Sequence, residues 1–498
     1  MRCRTLAAVL IPKGANVQFI CRAHPGHMGE LLRRDGYSVS LLPSPSGIAS
    51  TATTSWLGVP ELQDAEETIE AIGEVLSDWL IVDHYGLSKN WESSLRRHTR
   101  NLLVIDDIPD RSHDCNLLLD PNFSLDRPSH IARQVSSDCR NLLGPRFALL
   151  NPAFADRRRN IRPCADRLPR VLVFFGGIDD ANVTGMTIDA LTGNNLARLE
   201  VDVVVGLNNI HRDSICRQCL ARPNTTMHGH VPHLAELMAN AGLAIGAGGG
   251  TTWERMCMGL PSVVIGIAPN QYPACEALAA CGLVKYLGPA RGLDSQAIEA
   301  AISDALADSG VLSSMAVRGS ILVDGKGALR VAESLSPTKE ENLNLRRANE
   351  NDASIYYAWV NDAAVRLSAI DQDPIEWDAH LRWFQKRLNS PDCYLFVLEA
   401  GDLPVGQVRF EVQDGHASID YSLDVLVRGR GWANTLLRLG IKRLDESNPA
   451  MLRAVVRHEN VTSVAVFRRL GFSELISDDD KNDIRIFSLH SSQLASTD

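Results

Sequence analysis

Nine residues, "GAGGGTTWE" (246–254), combine four glycines, two threonines and a glutamate. The longer stretch "GLAIGAGGGTTWE" reads as a strand, a glycine turn and a helix start. Glycines such as Gly248 and Gly249 let a backbone approach a phosphate closely. The hydroxyls of Thr251 and Thr252 and the exposed N–H groups of a helix start can then bind it. Glu254, one turn further in, can accept two hydrogen bonds from a ribose diol. The chemistry is that of a nucleoside-diphosphate pocket, although a tight strand–helix turn needs no ligand. "FFGGIDDANVT" (174–184) repeats the logic with Gly176 and Gly177, followed by Asp179, Asp180, Asn182 and Thr184. Asp179 also suits a plain helix cap. In "GIAPNQ", the amides of Asn270 and Gln271 suit sugar hydroxyls, or simply a satisfied turn.

A second constellation lies near the C-terminus. "LDVLVRGRGWANTLL" (423–437) reads as a strand, then Arg428, Gly429, Arg430, Gly431, Trp432 and Ala433, then a helix. Consecutive N–H groups beside arginines suit a pyrophosphate; a basic turn is the plain alternative. In "RHENVTSVAVFRRLGF" (457–472), Asn460 can cap a helix and reach a ligand, and Phe467 follows seven residues later.

These sites need elements to position them. A length of 498 residues predicts roughly two to four domains. From 1 to about 330, β-branched runs such as "WLIVDHY", "NLLVIDD", "RVLVFFGG" and "EVDVVVG" alternate with helical periods, the βαβ pattern of parallel sheets. The expected fold class is α/β: two doubly wound Rossmann-like halves, 1–150 and 151–332, with a cleft between them. A polar linker is expected at 333–344. Residues 345–498 change texture, with Trp359, Trp377 and Trp383 spaced for helices and then alternating strands, so an α+β domain is expected there. The apolar run Leu6–Ile11 reads as one side of a first helix, being shorter than the roughly 7–15 residues of a secretory core.

Several classes are disfavoured. A net charge of −10 favours neither nucleic acid nor an acidic membrane. Apolar runs stop well short of the roughly 18 residues of a membrane span. The eleven cysteines lack disulfide spacing, and the lone Cys216/Cys219 pair reads as two positions on a helix. Reduced cysteines imply a cytoplasmic setting. His228, His230 and His233 have no carboxylate or cysteine framing them in ligand spacing, so no metal is expected.

The set "DHYGLSKNWE" (83–92), "CNLLLD" (115–120), "GPRFALL" (144–150), "FFGGIDDANVT", "GHVPHLAELMANAGLAIGAGGGTTWE" and "NQ" resembles the UDP-2,4-diacetamido-2,4,6-trideoxy-β-L-altropyranose hydrolases of pseudaminic acid synthesis. That family is similar in fold to B-type glycosyltransferases, and the resemblance covers residues 1 to about 330. It implies an inverting, metal-independent release of UDP. Thr251 and Thr252 would face the diphosphate, Glu254 the ribose, and Asn270 and Gln271 the sugar. The backbone at His230 and Val231 would hold the uracil. Gly250 stands where the family more usually has serine, so one phosphate donor is missing. The family's first strand and glycine loop, with its general-base histidine, precede the point matching "MRC", where this chain starts. The catalytic base is therefore unassigned. His24 and His27 follow the second strand, and Asp83 and Tyr85 are candidates to orient substrate.

The C-terminal motifs resemble those of the GCN5-related N-acetyltransferases (GNAT), over 345 to about 490. "LRRANENDASIYYAWVNDAAVR" resembles the branch that acetylates amino sugars and protein N-termini. The resemblance implies acetyl-CoA as co-substrate, bound by Leu423, Val425, Val427, Arg428, Gly429, Arg430, Gly431, Trp432, Ala433, Asn460 and Phe467. Phe467 replaces a frequent acid-donating tyrosine. Glu411 is a candidate base, and His380 and Trp383 are candidates for a sugar pocket. Together the two halves imply a bifunctional acetyltransferase and hydrolase acting on a UDP-amino-sugar. An inactive UDP-sugar-binding front, or a glycosyltransferase-like one, is the alternative.

Overall fold

The computed structural model describes residues 1–498 except 46–56, 109–110, 125–134, 178, 194, 207–208, 230, 232, 445–449, 476–483 and 491–498. The chain divides into two compact units, Met1–Leu335 and Ser336–Asp498.

The first unit opens with the expected helix, Arg2–Leu10, which buries Leu6, Ala7 and Leu10. β1 (Gln18–Arg22) pairs in parallel with β2 (Ser38–Leu42). β3 (Ser77–Val82), β4 (Thr99–Ile105), β5 (Leu117–Asp120) and β6 (Arg140–Leu143) form a separate four-stranded parallel sheet. The front half is thus two parallel sheets and not one doubly wound sheet. No described strand carries the ladder from β1 to β3.

The back half has six parallel strands: β7 (Arg170–Phe174), β8 (Glu200–Val204), β9 (Thr225–His228), β10 (Leu243–Ala247), β11 (Ser262–Gly266) and β12 (Lys285–Pro289). Their spatial order is β12-β11-β10-β7-β8-β9, the doubly wound arrangement. Both faces are covered by helices, so apolar side chains fill both. Val171, Val173, Val203 and Val263 enter one core, and Leu172, Val204, Ala244 and Val264 enter the other. The chain reverses direction across the sheet between β7 and β10, which pair from Leu243↔Val171 to Gly246↔Phe174.

The expected linker begins later than 333. Helix Gly327–Leu335 buries Glu333, whose Oε2 accepts a bond of 3.0 Å from Lys13 Nζ, and the carbonyl of Leu335 accepts one of 3.0 Å from Trp79 Nε1. The polar letters of 333–335 are therefore the last turn of a docked helix.

The second unit has one sheet: β13 (Leu343–Arg347), β14 (Cys393–Ala400), β15 (Leu403–Gln413), β16 (His416–Leu423), β17 (Met451–Arg457), β18 (Ser473–Leu475) and β19 (Ile484–His490). The order is β13-β14-β15-β16-β17-β19-β18. β13 occupies the start of a stretch expected to be helical. The helices Ala353–Val360 and Trp377–Leu388 follow it, and their Tyr356, Trp359 and Phe384 pack with Leu395 and Val397 of β14.

A buried charge cluster braces the front half. His113 Nδ1 lies 2.7 Å from Glu92 Oε1, its Nε2 lies 3.4 Å from Asp106 Oδ2, and Arg111 Nη1 lies 2.7 Å from the same Asp106 oxygen. Burial alone would lower the His113 pKa, but the hydrogen bonds to Asp106 and Glu92 raise it to about 9. The native state therefore binds a proton more tightly than the unfolded chain. That stability is complete below the ordinary histidine range near 6.5 and is lost as pH rises to about 9. Thermal unfolding of the full chain should show a loss on the order of 2–3 kcal/mol across that window. His113→Gln should flatten the pH dependence.

Candidate functional sites

In the first unit, β7 and β10 are neighbours and each ends in a glycine turn, so both glycine motifs arrive at one point of the sheet. This is the switch point, where the loops of an open α/β sheet leave in opposite directions. The turn after β10 needs glycine for close approach. A Cβ on Gly246 would meet the Phe174 carbonyl, and one on Gly248 would meet Cys275 Sγ. The turn after β7 needs it for conformation, since Gly176 has φ +96°. Gly177 sits against the end of β8, where a Cβ on Gly206 would come within 2.5 Å of its carbonyl oxygen.

A cavity of about 440 Å³ opens beside these turns. Gly177, Gly206, Val231, His233, Thr251 and Glu254 line it from the back half, and Arg4, Asp35 and Tyr37 from the front half. Burial lifts the Glu254 carboxyl to about 7, opposed by the adjacent Arg255. No described residue hydrogen-bonds its carboxylate, and the side chain lines the cavity.

Thr251 and Thr252 do not share a role. Thr252 is 2% exposed and its hydroxyl accepts a bond of 3.0 Å from Arg255 Nη2, so it does not face the cavity as expected. Successive residues on a helix point about 100° apart, so only one of the pair can face the cavity. Asn270 is exposed on the turn after β11. Gln271 uses its amide oxygen to accept from Ile267 N–H at 3.1 Å, and its side chain lies against Gly249. Asp179 is a cap: it accepts from Val183 N–H, Thr184 N–H and the Thr184 hydroxyl. His230 lies outside the described residues. His228 bonds to Asp202 at 2.7 Å, and Cys216 and Cys219 sit on the helix Arg212–Ala221.

Two residues were missed by sequence reasoning. Arg255 is fully buried beneath the glycine turn and makes no ion pair among the described residues. It donates 2.8 Å to the Ala247 carbonyl, and burial depresses its pKa to about 10. A buried cation without a carboxylate is costly unless an anion compensates it. His233 is the other; its ring packs edge-on to Phe154 with centroids 6.4 Å apart. The signals were a charged residue inside an apolar run, and a histidine passed over because it was grouped with two others.

In the front half, Asp83 Oδ1 accepts from Arg2 Nε at 3.1 Å and from Arg2 Nη2 at 2.5 Å. The Tyr85 hydroxyl donates to Asp107 at 2.6 Å. Both candidates are therefore tied into a network.

In the second unit, β16 and β17 are the one parallel pair in the sheet among the described residues. They stay in register only from His416↔Met451 to Ile419↔Ala454. Beyond that point β16 continues beside β15 to Leu423, and β17 continues beside β19 to Arg457. The sheet opens between them. Asp424 N–H is bonded to Val405 O at 2.8 Å. Backbone N–H groups alternate along a strand, so that of Leu423 faces the opening. Val427 N–H does not: it donates to Asp424 O at 3.0 Å within a short turn, and the Val427 side chain is buried. Val425 is half exposed at the mouth.

Gly429 and Gly431, with φ of +81° and +83°, shape the turn into the helix Trp432–Leu444. Arg428 was expected to face a pyrophosphate; instead its guanidinium donates to Leu423 O and Asp362 and braces the turn. Arg430 lies over the Trp432 ring at 5.0 Å. Asn460 caps the helix Val461–Arg469 through Ser463 N–H. Phe467 is buried among Tyr421, Phe472 and Phe487. His380 bonds to the Ala353 carbonyl at 2.9 Å inside the core and does not line a pocket. Trp383 lies under Arg409, and Glu411 is paired with Arg387 and Arg409, so it offers no unengaged base.

Residues 342–473 match the family described as an acetyltransferase (GNAT) domain, and the second unit carries that domain. Over 318 residues the chain is 20% identical to the uncharacterized protein MJ1062 of Methanocaldococcus jannaschii, covering 61% of this chain and 62% of that one. Over 193 residues it is 25% identical to the spore coat polysaccharide biosynthesis protein SpsG of Bacillus subtilis, covering 39% of this chain and 57% of that one. The chain thus spans about three fifths of the length of the curated relatives it matches. Similar solved structures include spermidine N-acetyltransferase from Vibrio cholerae in complex with CoA and spermine (18% identity, TM-score 0.29, 31% of this chain and 99% of that one). Another is yncA of Salmonella typhimurium, a putative acetyltransferase with acetyl-CoA (17%, TM-score 0.26, 30% and 94%). Among the described residues no single helix is long and apolar enough to cross a membrane, and no group of acidic, histidine and cysteine side chains could hold a metal ion.

The raised Glu254 pKa gives a directional test. Hydrogen bonds from a diol favour the ionised carboxylate, so affinity for a diol-bearing ligand should rise as pH goes from 6 to 8. Glu254→Gln should weaken the binding of such a ligand roughly tenfold or more. It should also stabilise the ligand-free chain at pH 8 by on the order of 1–3 kcal/mol, because an unpaired buried charge is removed. Calorimetric titration and thermal unfolding check both.

Proposed function

We propose that this chain is a cytoplasmic, bifunctional enzyme of pseudaminic acid biosynthesis. The second unit acetylates the 4-amine of a UDP-amino-sugar with acetyl-CoA. The first unit hydrolyses UDP-2,4-diacetamido-2,4,6-trideoxy-β-L-altropyranose and releases UDP. The observation that carries this reading is the pairing, in one chain, of a GNAT domain with a switch-point cavity edged by two glycine turns and holding an unpartnered carboxylate, Glu254. The ordered motifs of residues 1–330 and the polysaccharide-biosynthesis relative support the sugar substrate.

In the acetylation, acetyl-CoA lies in the opening between β16 and β17. The turn at Gly429–Ala433 takes the pyrophosphate, and the capping Asn460 takes part in holding the pantetheine arm. The substrate amine attacks the thioester carbon, and the Leu423 N–H donates to the developing oxyanion. Collapse expels the CoA thiolate, whose pKa near 8.5 makes it a tolerable leaving group. The amine's surplus proton passes to water. In the hydrolysis, Thr251 and the glycine turn hold the diphosphate, Glu254 holds the ribose, and Asn270 and Gln271 hold the sugar. Water attacks the anomeric carbon as the C–O bond to UDP breaks; the bond's electron pair leaves on the UDP phosphate oxygen and the water's surplus proton passes to solvent.

A second reading has its own support. Asp83 and Tyr85, the front-half candidates, are both engaged by neighbours, so no base is assigned there. The first unit would then bind the UDP-sugar without cleaving it.

The full chain is assayed for CoA release with the UDP-4-amino-sugar, and for UDP release with the diacetamido product. Gly431→Ala forces an L side chain into φ +83° and should lower kcat/KM for acetyl-CoA roughly tenfold or more. UDP affinity should be untouched. Acetyl transfer without UDP release selects the second reading; loss of neither activity in Gly431→Ala contradicts the assigned pyrophosphate turn.

A further inference from the structure

We propose that His233 sets the nucleobase specificity of the first unit's cavity by donating a hydrogen bond from Nε2 to the 4-oxo group of uracil. The proposal rests on the UDP reading above and adds a residue to it. The polar side chains that line the cavity from the back half are Thr251, Glu254, His233 and Asn151, the last a helix cap whose Oδ1 accepts from the Ala153 N–H. The first two are assigned to phosphate and ribose. His233 is left, and the side chains lining the cavity near it in sequence are Val231 and Leu234, with Val204 and Val205 from the end of β8. A planar base fits such apolar walls, and one polar group is enough to fix its identity.

The tautomer follows from burial. His233 Nδ1 is buried and has no hydrogen-bond partner among the described residues. A neutral imidazole carries one N–H and one lone pair. Orphaned buried N–H groups are rarer than unsatisfied acceptors, so the proton belongs on Nε2, and Nδ1 keeps the lone pair. Phe154 fixes the ring edge-on, at an interplanar angle of 63°. The cavity-facing nitrogen is then a donor. Uracil presents an acceptor at C4 and cytosine presents a donor, so cytosine would set N–H against N–H.

The test is titration of the full chain with UDP, CDP and 5-methyl-UDP. Wild type should prefer UDP to CDP by about 10- to 100-fold, the scale of leaving one buried donor unmatched. 5-methyl-UDP, which keeps both the 4-oxo group and the ribose diol, should follow UDP more closely than CDP does. His233→Phe keeps a ring of similar size and should bring UDP and CDP within about threefold, chiefly by weakening UDP. His233→Gln, whose amide can still donate, should retain part of the preference and covers the case of a misfolded Phe variant. Glu254→Gln should weaken UDP and CDP alike and leave their ratio unchanged. An unchanged UDP:CDP ratio in folded His233→Phe overturns the proposal while leaving the nucleotide site standing. Failure of wild type to bind UDP at all overturns both.

Discussion

Two strands running in parallel cannot be joined by a tight turn; the chain must cross a face of the sheet before it returns. That constraint places both candidate sites. In the first unit it sends every connection over the sheet and collects the carboxyl ends of β7 and β10 side by side, with their loops leaving in opposite directions. In the second unit β16 and β17 are joined through the helix Trp432–Leu444, and their ladder stops at Ile419↔Ala454. Each site lies at an opening beside parallel strands.

Electrostatics then decide what enters. The first opening has a cation fixed underneath it and a carboxylate beside it. Arg255 holds the glycine turn by its Ala247 carbonyl, and it forms no ion pair among the described residues. Glu254 is lifted to about 7 by burial. Burial disfavours the charged form of both residues. The second opening is framed by main-chain groups: the Leu423 N–H and the turn at Gly429 and Gly431. A pre-arranged backbone requires no reorganisation when charge develops on a thioester oxygen.

Much of this was legible in the sequence because it is local. A glycine turn between a strand and a helix, a glutamate one turn on, and a capping asparagine are short-range patterns, and the strand alternation gave the layers. What escaped reading is non-local. Thr252 looks like Thr251 until the helix rotates it into the core. Arg428 looks like a phosphate ligand until Asp362, 66 residues away, takes it. Val427 loses its N–H to a short turn, and His380 is drawn inward by a backbone carbonyl. The split of the front half into two sheets depends on which strands find neighbours, which no single segment encodes. Glu333 read as linker because its partner, Lys13, lies 320 residues away.

The most direct measurement is a time course of phosphorus NMR and mass spectrometry on the full chain, given acetyl-CoA and a UDP-4-amino-sugar. The account predicts that the acetylated UDP-sugar forms first, and that free UDP appears only after conversion to the diacetamido altropyranose nucleotide. No acetylated nucleotide, or UDP released from the unacetylated substrate at the same rate, would contradict it.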